Sequence, residues 1–184
     1  MTTLAEPPLN TTTQLTSPPD LIITVYGTPA PQGSKRHVGN GVMLEMSKRL
    51  KPWRQDVKEA ALIAMELPSA TIGAVQLHRP LLDGPLAASI VFTIREQPAG
   101  KPTWWPGGVR WSKSLRWRPA STPDLSKLLR STEDALTGVA WKDDARVVEY
   151  TRLAKYYVGH DADDVIPHTT GAVIRIWKLT EVTR

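Results

Sequence analysis

The chain has 184 residues, of which 41% are apolar, it carries a net charge of +5, and it contains no cysteine. This length suffices for one domain with a buried core, and the lack of cysteine excludes disulfides, thiolate zinc sites and cysteine nucleophiles. No apolar run approaches the eighteen or so residues of a membrane-spanning helix, so we expect no membrane partner. The basic charge favours a polyanionic partner, and the missing cysteines fit a cytoplasmic protein.

The predicted elements begin after a polar arm. Residues 1–20 are rich in Thr and Pro and lack the features of a signal peptide, so we expect them to be disordered, with one domain over residues 21–184. Strand patterns occupy 21–27, 86–95, 147–158 and 172–180, and helix patterns occupy 51–67 and the stretch after residue 122. This order predicts a single two-layer α/β (α+β) domain, in which two main helices pack on a mixed sheet.

The second helix pattern lies in TPDLSKLLRSTEDALTGVAWKDDARVV, residues 122–148. Thr122 is the candidate N-cap, Pro123 suits the first turn, and Gly138 suits a left-handed end. An apolar stripe faces the predicted sheet. The opposite face is polar and comprises Ser126, Lys127, Arg130, Glu133 and Asp134. A charged outer face is most often simply solvated, and for the helix alone that interpretation stays open.

Two adjacent acids, Asp143 and Asp144, directly precede the strand pattern ARVVEY. Neighbouring carboxylates repel each other and are poor strand formers, so their position indicates a function. We expect the chain to reverse after Gly138 and to bring Asp144 beside Asp124. Such oxygen ligands suit Mg²⁺ or Mn²⁺, which activate water and bind the oxygens of a phosphodiester. Carboxylates in a basic chain therefore predict a metal-dependent nuclease.

Basic residues are concentrated in two segments. Seven Lys or Arg stand against two acids between Lys35 and Lys58, and five stand between Lys101 and Arg118 with four tryptophans and no acid. Basic side chains neutralise phosphates and aromatic faces stack on unpaired bases, so the second segment predicts contact with DNA. Because tryptophan is usually well buried, the alternative is a loop whose tryptophans pack on the core.

Two other motifs predict no site. GTPAPQGSK differs from a phosphate loop because five residues separate Gly27 from Gly33 and the Ser34–Lys35 order is reversed, so we expect no nucleotide cofactor. HDADDVIPH, residues 160–168, mixes His and Asp as a metal cluster does. Its turn formers lie between two strand patterns, however, and predict a solvated loop.

Three segments follow one another in the second half of the chain: PDLSKLLR, DALTG, and WKDD leading into a strand. In this combination they resemble the RusA family of Holliday junction resolvases, especially its phage-type members. Weaker similarity in GTPAPQGSKR, WRQDV, LAKYY and GAVIRIWKL extends the resemblance over roughly residues 21–180. It implies a RusA-like fold and a homodimeric, Mg²⁺-dependent endonuclease, with Mn²⁺ able to substitute. Such an enzyme cuts four-way DNA junctions by paired nicks, in the host-cell cytoplasm if a phage encodes it.

The resemblance also implies roles for single residues. The family pattern has an acid, a second acid two residues later, a basic residue four further on, and a downstream pair of acids. Asp124, Arg130 and the pair Asp143–Asp144 match it. This implies metal binding by Asp124 and Asp144, with Asp143 as the third candidate, and a catalytic role for Arg130. Ser126 stands where the second acid is expected, which implies weak or water-mediated metal binding.

Several alternatives remain open on the sequence. Arg130 is either a catalytic cation or the ion-pair partner of Glu133 or Asp134. The protein is either the nuclease, a DNA-binding relative that has lost catalysis, or a non-catalytic basic interaction module. For a two-fold dimer, we expect strands such as 86–95 to offer a pairing edge. The candidate DNA-binding residues are Lys35, Arg36, Lys113, Arg116, Arg118, Lys127, Lys155, Trp111 and Trp117.

Overall fold

A four-stranded mixed sheet organises the chain in a computed structural model, which describes residues 17–33, 35–37, 43–45, 48–72, 75–112 and 117–179. For 35–37, 43–45, 67–72 and 75–78 the backbone alone is described. The elements are β1 (Leu21–Tyr26), β2 (Lys35–His37), β3 (Met43–Glu45), α1 (Leu50–Met65), β4 (Glu66–Ile72), β5 (Val75–His78), β6 (Leu86–Arg95), α2 (Leu125–Leu136), a 3₁₀ turn (Asp144–Arg146), β7 (Val147–Tyr157) and β8 (Gly171–Lys178).

The main sheet has the strand order β1-β8-β6-β7. β8 runs antiparallel to both β1 and β6, whereas β7 runs parallel to β6. Parallel neighbours cannot be joined by a hairpin, so the chain crosses from the end of β6 back to the start of β7 through α2. The predicted two-layer α+β class, with a mixed sheet and two main helices, is confirmed. Two small hairpins, β2–β3 and β4–β5, were not predicted.

The position of β6 in the sheet differs from our expectation. We expected strand 86–95 to offer an edge for dimer pairing, but β6 lies between β8 and β7. Every residue of the strand except Arg95 is buried. The prediction was wrong because alternation along a strand reports which residues face a core and carries no information about neighbouring strands. β1 and β7 form the edges of this sheet.

Both helices pack on one face of the sheet and enclose the main core. β1 alternates, with Leu21, Ile23 and Val25 buried beneath α1. Trp53 of α1 is 0% exposed, and its Nε1 donates to Thr132 Oγ1 of α2 at 3.2 Å. This indole therefore joins the two helices above the sheet, and its one polar group is satisfied by the neighbouring helix. None of the described helices is long and apolar enough to cross a membrane.

The opposite face of the sheet is covered by the loop between β7 and β8. Ala162 and Val165 pack on a small cluster that contains Val91 and Tyr156. Asp164 is held there by three side-chain hydrogen bonds from Arg175. The expectation of a solvated loop holds for its exposed acids, Asp161 and Asp163, and is wrong for Asp164.

The chain before β1 contacts the end of β8. Trp177 Nε1 donates to the Ser17 carbonyl at 3.0 Å, and the backbone N–H of Lys178 donates to Asp20 Oδ2 at 2.7 Å. The remainder of the disordered arm predicted for residues 1–20 is residues 1–16, which lie outside the described residues.

The core indole gives a first prediction. Trp53→Ala should lower the free energy of unfolding by about 3–5 kcal/mol, because it removes a fully buried aromatic side chain and leaves a cavity between the helices. Chemical denaturation measures this change. Ile63→Ala, on the same helix but 68% exposed, is the control and should change stability by less than about 0.5 kcal/mol. Equal losses for the two variants would contradict the packing described.

Candidate active site

Asp124 lies at the end of the sheet where the parallel strands β6 and β7 finish. The backbone N–H of Val158 donates to the Arg95 carbonyl at 2.9 Å, which fixes the two strand ends side by side. Lys155, near the end of β7, donates from Nζ to the carbonyls of Ser121 at 2.5 Å and Pro123 at 2.8 Å. The segment that leads into α2 is therefore attached to this end of the sheet, and Asp124 follows the segment directly.

The start of α2 differs from the prediction. We expected Thr122 as the N-cap and Pro123 in the first turn, but Asp124 is the N-cap residue and the Thr122–Pro123 peptide bond is cis. The Asp124 carbonyl accepts from the backbone N–H of Leu128 at 3.1 Å, whereas its side chain makes no capping hydrogen bond. Its carboxylate is thus not used by the helix backbone, and it is exposed. At the other end, Gly138 has the predicted left-handed conformation, with φ 75°.

Lys155, a predicted DNA-binding residue, makes contacts within the chain. Its ammonium group donates to two backbone carbonyls. Burial lowers the pKa of Lys155, while the charge of Asp124 opposes this shift and that of Arg95 adds to it. Arg95 also donates to Ser121 Oγ at 2.5 Å. These two cations hold the segment before Asp124, and no sequence pattern indicated the role of Arg95.

Two further basic residues, Lys127 and Arg130, are exposed on α2. Lys127 Nζ lies 3.2 Å from the Asp124 carboxylate, in an exposed pair that contributes little stability. Arg130 is exposed and has no ion-pair partner among the described residues. Its expected alternative partners are bound elsewhere, Glu133 to Tyr150 and Asp134 to Arg54. Arg130 is therefore available to an anion outside the chain.

The loop after β1 lies against the same helix. The backbone N–H of Gln32 donates to the Lys127 carbonyl at 3.0 Å, and Ser131 Oγ donates to the Ala30 carbonyl at 2.7 Å. The chain continues from this loop into β2, which contains Lys35 and Arg36. The side chains of these two predicted DNA-binding residues lie outside what the structure describes.

The paired acids Asp143 and Asp144 lie at the opposite end of α2, where β7 begins. Asp143 Oδ1 accepts from the backbone N–H of Ala145 at 2.9 Å and so caps the 3₁₀ turn, whereas Asp144 is exposed. Asp83 lies at the same end and pairs with Arg146 at 2.8 Å. The two adjacent acids therefore differ, since one carboxylate has a structural partner and the other faces solvent.

Tyr150 connects the polar face of α2 with this end. Its hydroxyl donates to Glu133 Oε1 at 2.6 Å. Burial raises the pKa of Tyr150 well above its usual value, and the hydrogen bond to Glu133 and the charges of Glu133 and Asp144 raise it further. Tyr150 therefore remains protonated and donates to Glu133. The strand pattern gave no signal for this residue.

Asp124 and Asp144 do not meet within one chain, contrary to our expectation. Asp124 and Glu133 are nine residues apart on α2, which is about 13 Å at the helical rise. Asp144 is near the Glu133–Tyr150 pair, whereas Asp124 is near Lys155. The reversal after Gly138 occurs, but the parallel crossover places residues 143–144 at the start of β7 rather than at its end.

The acids of one chain do not by themselves form a three-carboxylate metal site. Across the parts of the chain that the structure describes, no three His, Cys, Asp or Glu side chains lie close enough to share an ion. Ser126 is exposed two residues beyond Asp124, which is about half a helical turn. The donor types are nevertheless right, because Mg²⁺ takes one or two carboxylates with water and phosphate oxygens. The chemistry of the donors fits a divalent ion, and the geometry of a single chain does not assemble them.

The tryptophan-rich segment forms a small aromatic cluster between β6 and α2. Trp105 is 8% exposed and makes edge contacts with Trp104, Trp111 and Trp117. Trp111 is partly buried and its Nε1 donates to the Ala99 carbonyl, whereas Trp117 is 47% exposed. The packing expected as the alternative holds for several of the tryptophans, whereas Trp117 faces solvent and its contact with DNA stays a prediction. The predicted DNA-binding residues Lys113 and Arg116 lie outside the described residues.

Comparison with known proteins agrees with this architecture. The family model described as endodeoxyribonuclease RusA matches residues 26–163. An uncharacterized protein of Bacillus subtilis (strain 168), YqaN, is 30% identical over 138 residues, which cover 73% of this chain and 85% of that protein. The fold and this match define a DNA endonuclease, a hydrolase of phosphodiester bonds. The chain belongs to the RusA family, as the resemblance in its sequence indicated.

The attachment of the Asp124 segment gives a second prediction. Lys155→Met should lower the free energy of unfolding by about 1–3 kcal/mol, because two carbonyls lose a charged donor. Lys127→Met is the matched control: it also removes a lysine beside Asp124, but from an exposed pair, and should cost less than about 1 kcal/mol. Denaturation of the two variants under identical conditions makes the comparison. A larger loss for Lys127→Met would show that Lys155 does not hold the segment.

Proposed function

We propose that this protein is a structure-specific endodeoxyribonuclease that resolves four-way DNA junctions by metal-dependent hydrolysis, acting as a homodimer. The observation that carries the proposal is the surroundings of Asp124 in a member of this nuclease family. Its carboxylate is exposed, is not used to cap its helix, and lies beside Lys127 and near Lys155, and the same helix carries the exposed Arg130, which has no ion-pair partner among the described residues. One acid among several cations suits an ion bound to the phosphate of a DNA strand.

The separation of the acids supports a site formed by two copies of the chain. Asp124 and Asp144 lie at opposite ends of α2, so one phosphodiester would contact both only if they came from different subunits. A closed two-fold dimer would place the Asp124 end of each copy beside the Asp144 end of its partner and form two equivalent sites. Two equivalent sites are also what paired, symmetric nicks require. The dimer thus accounts for the stoichiometry of the cut and for the distance within one chain.

The roles of the residues at each site follow from their positions. Asp124 and Asp144 would hold a divalent ion, with Asp143 as a weaker candidate because its carboxylate already caps a turn. When bound, Mg²⁺ lowers the pKa of a coordinated water and stabilises charge on phosphate oxygens. Arg130 would stabilise the negative charge that develops on the phosphate during hydrolysis. Arg118 and Lys127, both exposed, would bind neighbouring phosphates, together with the other predicted basic residues outside β7.

One observation favours a second candidate function. Ser126 stands where a second acid would complete the ligand set, and a site with one charge fewer binds divalent ions more weakly. A junction-binding protein with weak or lost catalysis is therefore the alternative. Incubation with a labelled four-way junction, with and without Mg²⁺ or Mn²⁺, separates the two. Cleavage supports the enzyme, and tight binding without cleavage supports the alternative. A protein that neither cleaves nor binds the junction would be a basic interaction module.

A mixing experiment tests the site formed by two copies. We expect Asp124→Asn and Asp144→Asn each to abolish junction cleavage while junction binding persists, because basic residues supply most of the affinity. Subunits of the two inactive variants, exchanged by joint unfolding and refolding, would form heterodimers with one intact pair of Asp124 and Asp144. Such heterodimers should nick one strand, with about a quarter of the wild-type number of active sites, since about half of the dimers are mixed.

The controls distinguish this arrangement from a site within one chain. If all ligands came from one subunit, every site in the mixture would carry a substitution, and the mixture would stay inactive. Glu133→Gln tests the acid that lies near Asp144 in the same chain, and we expect it to retain cleavage. A mixture without activity, combined with loss of cleavage in Glu133→Gln, would move the site to Glu133 and Asp144. Light scattering of the junction complex checks the dimer independently.

Ser126 gives a further prediction. Ser126→Asp should strengthen divalent binding and raise junction cleavage at limiting Mg²⁺, and wild type should be more active with Mn²⁺ than with Mg²⁺, because Mn²⁺ binds a given ligand set more tightly. An added acid in the first turn is compatible with the helix. Calorimetric titration of metal and cleavage across Mg²⁺ concentrations are the measurements. Ser126→Asn, similar in size but uncharged, should give no such gain. If Ser126→Asp matches Ser126→Asn, the position does not face the ion.

A further inference from the structure

A cavity of about 380 Å³ lies beside the segment that carries Asp124, at the end of the sheet where β6 and β7 finish. Its walls are formed by four consecutive residues of the β6–α2 connection, Trp117 to Ala120, and by His160 of the loop after β7. This volume lies within the usual range of small-ligand pockets. No residue of the proposed metal site lines the cavity, so the cavity is a separate feature at the same end of the sheet.

The wall of this cavity combines an aromatic surface with a positive charge. Trp117 is 47% exposed and is supported by an edge contact with the buried Trp105, with ring centroids 5.1 Å apart. The guanidinium of Arg118 lies over the ring of Tyr156, 5.0 Å from its centroid. Within the described residues, Arg118 has no carboxylate partner. Pro119 and Ala120 add an apolar surface between these groups.

Two of the lining residues, His160 and Arg118, pack against the buried ring of Tyr156. Tyr156 is 1% exposed, its ring centroid lies 4.5 Å from that of His160, and its hydroxyl accepts from Arg152 at 3.0 Å. After Ala120, the chain is attached to β7 by Lys155 at Ser121 and Pro123. Ala120 and Asp124 are four residues apart, which is at most about 14 Å of extended chain. A ligand in the cavity therefore lies close to the proposed site of cleavage.

We propose that this cavity binds an unstacked nucleobase of the DNA strand, with the base on the indole of Trp117 and the adjoining phosphate at Arg118. An exposed indole, an apolar surface and an unpaired guanidinium match the flat face and the flanking anion of a nucleotide. Base–aromatic stacking of this kind does not depend on base identity, because every base has a π-face. The branch point of a junction supplies bases that stack poorly. The inference rests on the proposed function only in taking a DNA junction as the source of the unstacked base.

The test uses a short single-stranded oligonucleotide that contains one 2-aminopurine, so that it does not depend on junction cleavage. Binding to the wild-type protein should quench the fluorescence of 2-aminopurine by stacking. Trp117→Ala should weaken binding about tenfold and remove the quenching, since one base–aromatic stack contributes a factor of this order. Trp117→Phe should restore much of both. Arg118→Gln should keep the quenching and reduce the salt dependence of binding by about one phosphate contact, a slope change of about 0.7.

Trp104→Ala is the matched control for damage to the aromatic cluster. Trp104 also contacts Trp105 but does not line the cavity, so this variant should bind and quench like wild type. Equal quenching by wild type and Trp117→Ala, or wild type that does not bind the oligonucleotide, overturns the proposal. An equal loss in Trp104→Ala and Trp117→Ala does so too, because it assigns the effect to the cluster. Junction cleavage measured on the same samples reports separately on the proposed function.

Discussion

The parallel pairing of β6 with β7 is the constraint on which the rest of the arrangement depends. Because the two strands point the same way, the chain has to return along the sheet between them, and α2 forms part of this return. One end of the helix then lies toward the finish of the strands, and the other lies toward the start of β7. The residues that the family pattern groups in sequence are thereby divided between two ends of the molecule. A compact motif in the sequence is an extended one in space, and the proposed dimer would bring its parts together.

Much of this fold was predictable because its strongest signals are periodic. The strand pattern of β1 and the apolar stripe of α2 are local consequences of side-chain direction, so these elements followed from the residues alone. The pattern of β6 predicted a strand, but both faces of that strand are buried, and it was wrongly placed at an edge of the sheet. The hairpin β2–β3 was missed since strands of three residues are too short for a clear period, and β4–β5 was missed as well.

The candidate site was predictable in its residue types and unpredictable in its contacts. Asp124 and Asp144 were predicted from their chemistry and, together with Arg130, from the family resemblance, and each is exposed in the structure. Lys155 was predicted to bind DNA, and no pattern indicated that its ammonium group donates to two backbone carbonyls of a segment about thirty residues away. Arg95 and Tyr150 were missed for the same reason. Their partners lie on other elements, and no local pattern records them.

The unused carboxylate of Asp124 has a consequence for how this protein can be improved or can evolve. An aspartate at an N-cap ordinarily adds about 1 kcal/mol by accepting a hydrogen bond from its own helix, and here that bond is not made. The helix start is secured from outside, by a lysine on a strand, and the carboxylate stays available. Under the proposed function, stability is forgone at a residue that binds the metal ion, as is common where function and stability compete. Searches for more stable variants would then select changes at the start of α2 that satisfy the helix and remove the proposed activity.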